Sequence, residues 1–264
     1  MTAGSVIPHR RAAIGRRLVA LIAPRIARLT APLIAPLIVG LALAACAYRG
    51  HIDQPVTIKA TWYSYLAGDD IRQSCVPNGL ARYRLVYNGS YEEQLRSYDV
   101  FGLEDGGARL VARVLGPMRA FAVIRDPSDL QAPWRWTESE TRLSAAEFAA
   151  FKAVLEASGL RRPRDGTADL ISTEFYWIVS ACEGGEFLFN AWRYGTERYA
   201  ALRFPEVLLG YDETGIALNP PRPVNPLDRL EARRAVGRKA DPDTPNVFRV
   251  KVGPDGLVGM GPYL

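Results

Sequence analysis

The chain has 264 residues with 33 Lys and Arg against 28 Asp and Glu, but Arg10, Arg11, Arg16, Arg17, Arg25 and Arg28 all precede residue 46 and no acid does. The remaining 219 residues therefore carry 27 basic against 28 acidic side chains, so the high whole-chain pI gives no support for nucleic-acid binding, which needs a basic footprint on the folded domain. That length is enough for one domain with a sizeable core, or one domain and a tail.

In chain order, the basic stretch gives way at Leu29–Ala45 to a run with no ionisable side chain, the order of a secretory signal. The run is interrupted by Pro32 and Pro36, and at 17 residues it sits at the low edge of the roughly 17–25 needed to span a bilayer as a helix. A cleaved signal over residues 1–45 is expected rather than a permanent span. Leu43-Ala44-Ala45-Cys46 closes it, and this tetrapeptide resembles the lipobox of bacterial lipoproteins: Leu, two small residues, then the Cys whose sulfur takes a diacylglycerol before cleavage. The resemblance covers the leader only. It implies lipidation of Cys46, a membrane held through that lipid, and, because Ala47 rather than Asp follows, a periplasm-facing position on the outer membrane. Two other readings stand beside it: an ordinary signal or uncleaved anchor in which the tetrapeptide arises by chance, and a mitochondrial transit peptide, which the Arg-free apolar run and its terminal Cys fit less well.

With Cys46 acylated, Cys75 and Cys182 remain, and in an oxidising compartment they permit one disulfide, closing a loop of about a hundred residues. The alternative is two separately buried thiols. Neither has a His, Cys or acidic cluster close in sequence that would suggest a metal site.

Residues 46–58 read as a tether and 59–218 as the globular domain. Ala81–Tyr87 alternate, with Tyr83, Leu85 and Tyr87 on one face, Asn88-Gly89 follows, and Ser90–Val100 return; Asn-Gly between alternating strands predicts a two-residue turn with Arg84 opposite Glu93. Asn88-Gly89-Ser90 also matches a glycosylation sequon, which the turn explains better in a bacterial chain. Arg109–Leu115 and Arg119–Arg125 read as short strands separated by Gly116-Pro117. A helix then starts on the capping box of Ser144 and Glu147, places Phe148, Phe151 and Leu155 on one face, and stops at Gly159-Leu160. Thr173–Cys182 and Glu186–Arg193 form a second hairpin; a two-residue Gly184-Gly185 turn sets Trp177 opposite Trp192 and Val179 opposite Asn190, with Ile178 opposite Ala191 on the other face. Arg198–Gly210 is a mostly apolar helix or turn containing Pro205. The 219–264 segment comprises a Pro-rich connector over Asn219–Asn225, a charged helix over Leu227–Arg238, and a hairpin of Phe248–Val252 and Leu257–Met260. The whole is an α+β fold: an antiparallel sheet built from hairpins with helices packed on one face. This order is similar to that of small periplasmic lipoproteins with a Cys shortly before a Tyr-rich hairpin, a likeness that carries no activity.

The sequence points away from catalysis. His51 is the one His after the leader and lies in the tether, so neither a Ser-His-acid triad nor a multi-histidine metal site can be assembled. Asp69-Asp70 and the pair Glu138 and Glu140 have the residue types of glycosidase chemistry, but acid pairs of this kind are usually solvated surface. Gly253, Gly256, Gly259 and Gly261 are spaced unlike a phosphate loop and fit a turn and a flexible terminus. No cofactor is implied. Trp134-Arg135-Trp136 is the binding candidate: two large aromatics in a turn-rich segment, placed to stack on a glycan or sit at an interface, against the plainer reading that the rings cover an edge of the core. Trp62, Trp177 and Trp192 read as core. The expected function is a non-enzymatic envelope component that binds a protein or glycan; the alternative is a secreted hydrolase using carboxylates or an unrecognised Ser, which a cleft with convergent desolvated carboxylates would favour.

Overall fold

A computed structural model describes residues 55–91, 93–116, 136–162, 166–235 and 247–260. Helices α1 (Pro55–Ala67) and α2 (Asp69–Gln73) come first, and α1 begins inside the stretch read from sequence as tether. Four strands follow, β1 (Arg82–Gly89), β2 (Leu95–Gly102), β3 (Ala108–Leu115) and β4 (Thr137–Leu143), then helix α3 (Ala145–Ala157). Next come β5 (Ala168–Ile171), β6 (Phe175–Glu183) and β7 (Glu186–Arg193). The chain continues through α4 (Glu197–Ala200), α5 (Phe204–Gly210) and α6 (Pro226–Ala235) to β8 (Arg249–Gly253) and β9 (Gly256–Met260). The strand expected at Arg119–Arg125 lies outside the described residues.

The architecture is α+β. Six antiparallel strands in the order β4-β3-β2-β1-β6-β7 form the main sheet, and β5-β8-β9 form a smaller antiparallel one. Because side chains alternate along a strand, the main sheet has two apolar faces. On one, Tyr83, Leu85, Tyr87, Trp177, Val179 and Trp192 meet Phe148, Phe151 and Leu155 of α3 and Phe204 and Leu208 of α5. That is the helix-covered face the sequence anticipates. The opposite face is covered too: Val86, Tyr176, Ile178, Phe189 and Ala191 pack on Trp62, Tyr65 and Leu66 of α1 and on Leu170, Val250 and Val252 of the smaller sheet. The C-terminal hairpin is thus part of the fold, since β8 pairs with β5.

Local chemistry sets the elements. At the start of α3 the Ser144 hydroxyl accepts from the Glu147 amide while the Glu147 carboxylate accepts from the Ser144 amide. At its end Gly159 adopts φ 83°, its N–H donates to Glu156 O and that of Leu160 to Leu155 O, the Schellman arrangement that only a residue tolerant of positive φ closes without strain. The β6–β7 hairpin has the expected register, Trp177 opposite Trp192, Val179 opposite Asn190 and Ile178 opposite Ala191, with positive φ at both Gly184 and Gly185. Pro205 divides Arg198–Gly210 into two short helices by taking the first turn of α5, where its missing N–H costs nothing.

The first hairpin differs from expectation. Arg84 faces Asp99, not Glu93, because Asn88 and Gly89 belong to the ladder and the connection is Ser90–Gln94, with positive φ at Ser90. Tertiary bonds account for it: the Asn88 amide donates to the carbonyls of Ser172 (2.9 Å) and Glu174 (2.6 Å), and the Gly89 N–H donates to Gln94 O. The slip is six positions, an even number, so Tyr83, Leu85 and Tyr87 keep their common core face.

Cys75 and Cys182 are bridged, with Cα atoms 5.5 Å apart, fastening the turn after α2 to the end of β6. No helix among the described residues is long and apolar enough to cross a membrane.

Candidate functional site

Two arginines lie almost wholly inside the molecule, one on each face of the main sheet, and they decide what the acidic residues can do. On the α1 side Arg84 is 1% exposed. Its Nε donates to Asp99 Oδ1 (2.9 Å), Nη1 to Asp70 Oδ1 (2.8 Å) and Nη2 to Asp70 Oδ2 (3.0 Å), and its plane stacks 3.9 Å above the Tyr65 ring. Asp99 also accepts from Arg113 Nη1 (2.9 Å) and the Tyr65 hydroxyl (3.3 Å), and Tyr65 shares a further hydrogen bond with Ser97. Arg82 adds a bond to Asp70 at 2.6 Å. Burial alone would raise the Asp70 pKa, but Arg84 and Arg82 outweigh it and hold the carboxyl below the ordinary carboxylate value. These carboxylates are saturated with guanidinium and phenol donors, so they serve as ionic clamps between α1–α2 and the sheet.

The other acid pair singled out in the sequence is also taken up. Glu138 accepts from Arg113 Nε at 2.7 Å and Glu140 from Arg109 Nη1 at 3.0 Å, both across the β3–β4 pairing at the surface. Both glutamates are about half exposed.

On the other face Arg96 fastens an extended strap, residues 211–222. Arg96 Nε donates to Gln94 Oε1 (2.9 Å), Nη1 to Asp212 Oδ2 (2.6 Å) and Nη2 to the Ile216 carbonyl. Burial would raise the Asp212 pKa, yet hydrogen bonds from Thr214 and Tyr98 together with the Arg96 charge bring it below the ordinary value. Gln94 Nε2 then donates to Ala217 O (2.8 Å), the Tyr87 hydroxyl to Asn219 O (2.7 Å), and Asn219 Nδ2 to Gly89 O (2.7 Å). Arg222 closes the series, donating to both oxygens of Glu93 at 2.6 Å and lying over the Phe175 ring. The Pro-rich connector therefore starts from a segment tied to the sheet by side chains that satisfy its backbone carbonyls one after another.

These contacts place two chain segments at the same end of the main sheet, the end carrying the β1–β2 turn. The strap finishes there on Glu93, four residues before α6. Helix α1 starts there as well: Trp62 meets Tyr91 of that turn at 6.3 Å, Tyr65 reaches the middle of β2, and Asp70 of α2 reaches Arg82 at the far end of β1. The N-terminal end of α1 and the chain leaving into α6 thus share one end of the domain.

Of the residues expected to carry function, Cys46, Trp134 and Arg135 lie outside the described residues, as does His51. Trp136 is 9% exposed and packs with Leu95, Leu115 and the α1 aromatics, as a ring covering the core does. Among the described residues no three His, Cys, Asp or Glu side chains are gathered as a metal site requires. Arg84 was assigned Glu93 as its partner from sequence, and Asp99, Arg96 and Asp212 were not singled out; for Arg96 and Asp99 the available signal was charge within an otherwise largely apolar strand. Comparison with family models, curated proteins and solved structures finds no match.

Proposed function

We propose that this chain is a lipid-anchored lipoprotein of the bacterial envelope, held on the outer membrane through Cys46 and facing the periplasm, where its domain binds or supports another envelope component. The observation that carries the reading is Leu43-Ala44-Ala45-Cys46 at the close of an acid-free, Arg-rich and then apolar leader. The Cys75–Cys182 disulfide supports it, because such bonds persist in oxidising compartments. A binding role is favoured over a hydrolytic one because Asp70, Asp99, Glu138 and Glu140 are each engaged by arginine. The proposed partner is an envelope protein or glycan, with Trp134-Arg135-Trp136 as a proposed contact. Growth with a labelled fatty acid tests the anchor: the native chain takes up label and Cys46→Ser does not. Equal labelling of the two overturns it.

A further inference from the structure

The two halves of the Cys75–Cys182 disulfide have different surroundings. Cys182 is 5% exposed in β6, with a paired strand on each side. Cys75 is partly exposed in the turn after α2, between the exposed Ser74 and Val76. A thiol arriving from solvent therefore meets the sulfur of Cys75 first, and Cys182 is the sulfur that leaves.

The leaving position lies among cations. Across the sheet Cys182 stands directly opposite Arg82 of β1 and, on its other side, Phe187 of β7. Directly opposed side chains have Cβ atoms about 4.5–5.5 Å apart. The Arg72 guanidinium lies 3.9 Å from the centre of the Phe187 ring. Arg82 gives Nη2 to Asp70 at 2.6 Å and keeps a buried Nε–H that has no hydrogen-bond partner among the described residues. Asp70 is the acid facing this group, and both its oxygens are already taken up by Arg82 and Arg84. A thiolate on Cys182 would be an acceptor of matching charge one cross-strand step from that unused donor. Cationic neighbours lower a thiol pKa, and exchange is faster the lower the pKa of the thiol that leaves.

Opening the bond is also a local event. Strand β6 keeps its pairing to β1 and β7, and α2 stays held by Asp70 on Arg82 and Arg84 and by Arg72 on the Asp255 carbonyl at 2.7 Å.

We infer that Cys75–Cys182 is a thiol-exchange site, opened from the Cys75 side by a dithiol reductant and closed by the reverse reaction. A thiolate of the reductant attacks Cys75 Sγ, the Sγ–Sγ bond breaks, and its electron pair leaves on Cys182 beside Arg82. The reductant's second thiolate then attacks the reductant sulfur of the mixed disulfide and the Cys75 thiolate leaves. The two cysteines take up the two protons the reductant gave up, and the reductant is oxidised by two electrons to its own disulfide. Acylation of Cys46 has no bearing on this chemistry.

The test treats the full, oxidised chain under native conditions with excess glutathione, a monothiol that leaves the first product in place, followed by acid quench, alkylation and peptide mapping by mass. The expected result is glutathione on Cys75 several-fold more often than on Cys182, Cys182 recovered as an alkylated thiol, and unchanged far-UV circular dichroism. Arg82→Gln and Arg72→Gln should each slow the reaction several-fold, whereas a bond that is only a staple would open faster once the contacts around it are weakened. Reaction that requires urea, glutathione spread evenly or found mainly on Cys182, loss of the dichroism signal as the bond opens, or variants that react as fast as the native chain or faster would each overturn the inference. The choice of sulfur and the need for urea are read on the unsubstituted chain, so they decide the matter even where a variant does not fold.

Discussion

Arg84 is visible in the sequence as a charge in an apolar strand, and its meaning comes from what surrounds it. Taking a guanidinium and a carboxylate out of water is expensive, and the expense is offset only when geometry and additional donors are good. Asp99 meets that condition with Arg84, Arg113 and Tyr65 around one carboxylate. Replacing it by Asn leaves a buried guanidinium short of its counter-charge. Asp99→Asn should therefore lose about 3–5 kcal/mol in urea unfolding, while Glu138→Gln, whose carboxylate is half exposed, should lose about 1 kcal/mol or less. A loss at Asp99 no larger than that at Glu138 would show the cluster to be a surface network. The same clamps set the acid limit. Asp70 and Asp212 have pKa values below the ordinary 3.8, so each stabilises the fold fully above that pH, and the contribution is lost as pH falls from there through the depressed value. Melting temperature should drop steeply below about pH 4, and less steeply in Asp70→Asn. Equal slopes would remove Asp70 from the account. The sequence could not supply these partners, because a register shift of six decides whether Arg84 meets Glu93 or Asp99.

The two hairpins make the same point for elements. Gly184-Gly185 and Asn88-Gly89 are both strong two-residue turn signals, and one of them holds. The glycine pair has no side chain with another use, and Gly185 is pressed so close to Pro77 that a Cβ would lie 2.6 Å from its nitrogen. Asn88 has a side chain that bonds two carbonyls of the β5–β6 connection, contacts invisible in any local window. Long, periodic elements were legible for the opposite reason: α3 carries its own cap, stripe and stop within 17 residues, Ser144–Leu160. The β6–β7 pairing places Trp177 and Trp192 side by side at the centre of one core layer, each touching Phe204 edge-on. Trp177→Ala should cost about 3–5 kcal/mol, as for other core aromatics, read as a shift of the denaturation midpoint at unchanged slope. A midpoint equal to that of the native chain would contradict the packing described.

For the whole molecule, the sequence delivered one face of the sheet and not the other. The hairpins and α3 are local and describe the helix-covered layer. The second layer joins α1, of which only the first four residues were read as tether, to β5 and β8, whose pairing bridges about eighty residues of chain that no periodicity spans. Only the end of the strap, from Asn219, was legible as part of a Pro-rich connector, and the attachment of the strap depends on single side chains, Gln94, Arg96 and Tyr87, far away in sequence. Functional residues divide along the same line. The proposed leader and its Cys are read from a linear motif, whereas the arrangement that brings the start of α1 and the start of α6 to one end of the sheet exists only in the folded chain.

The proposed anchor is what most needs measuring. Intact-mass and terminal-peptide analysis of the chain purified from bacterial envelopes reads it in one step. The account predicts a mature protein that begins at Cys46 with a diacylglyceryl group on its sulfur, and with Cys75 and Cys182 oxidised. A mature chain that begins elsewhere, or one that carries Cys46 as an unmodified thiol, would contradict it.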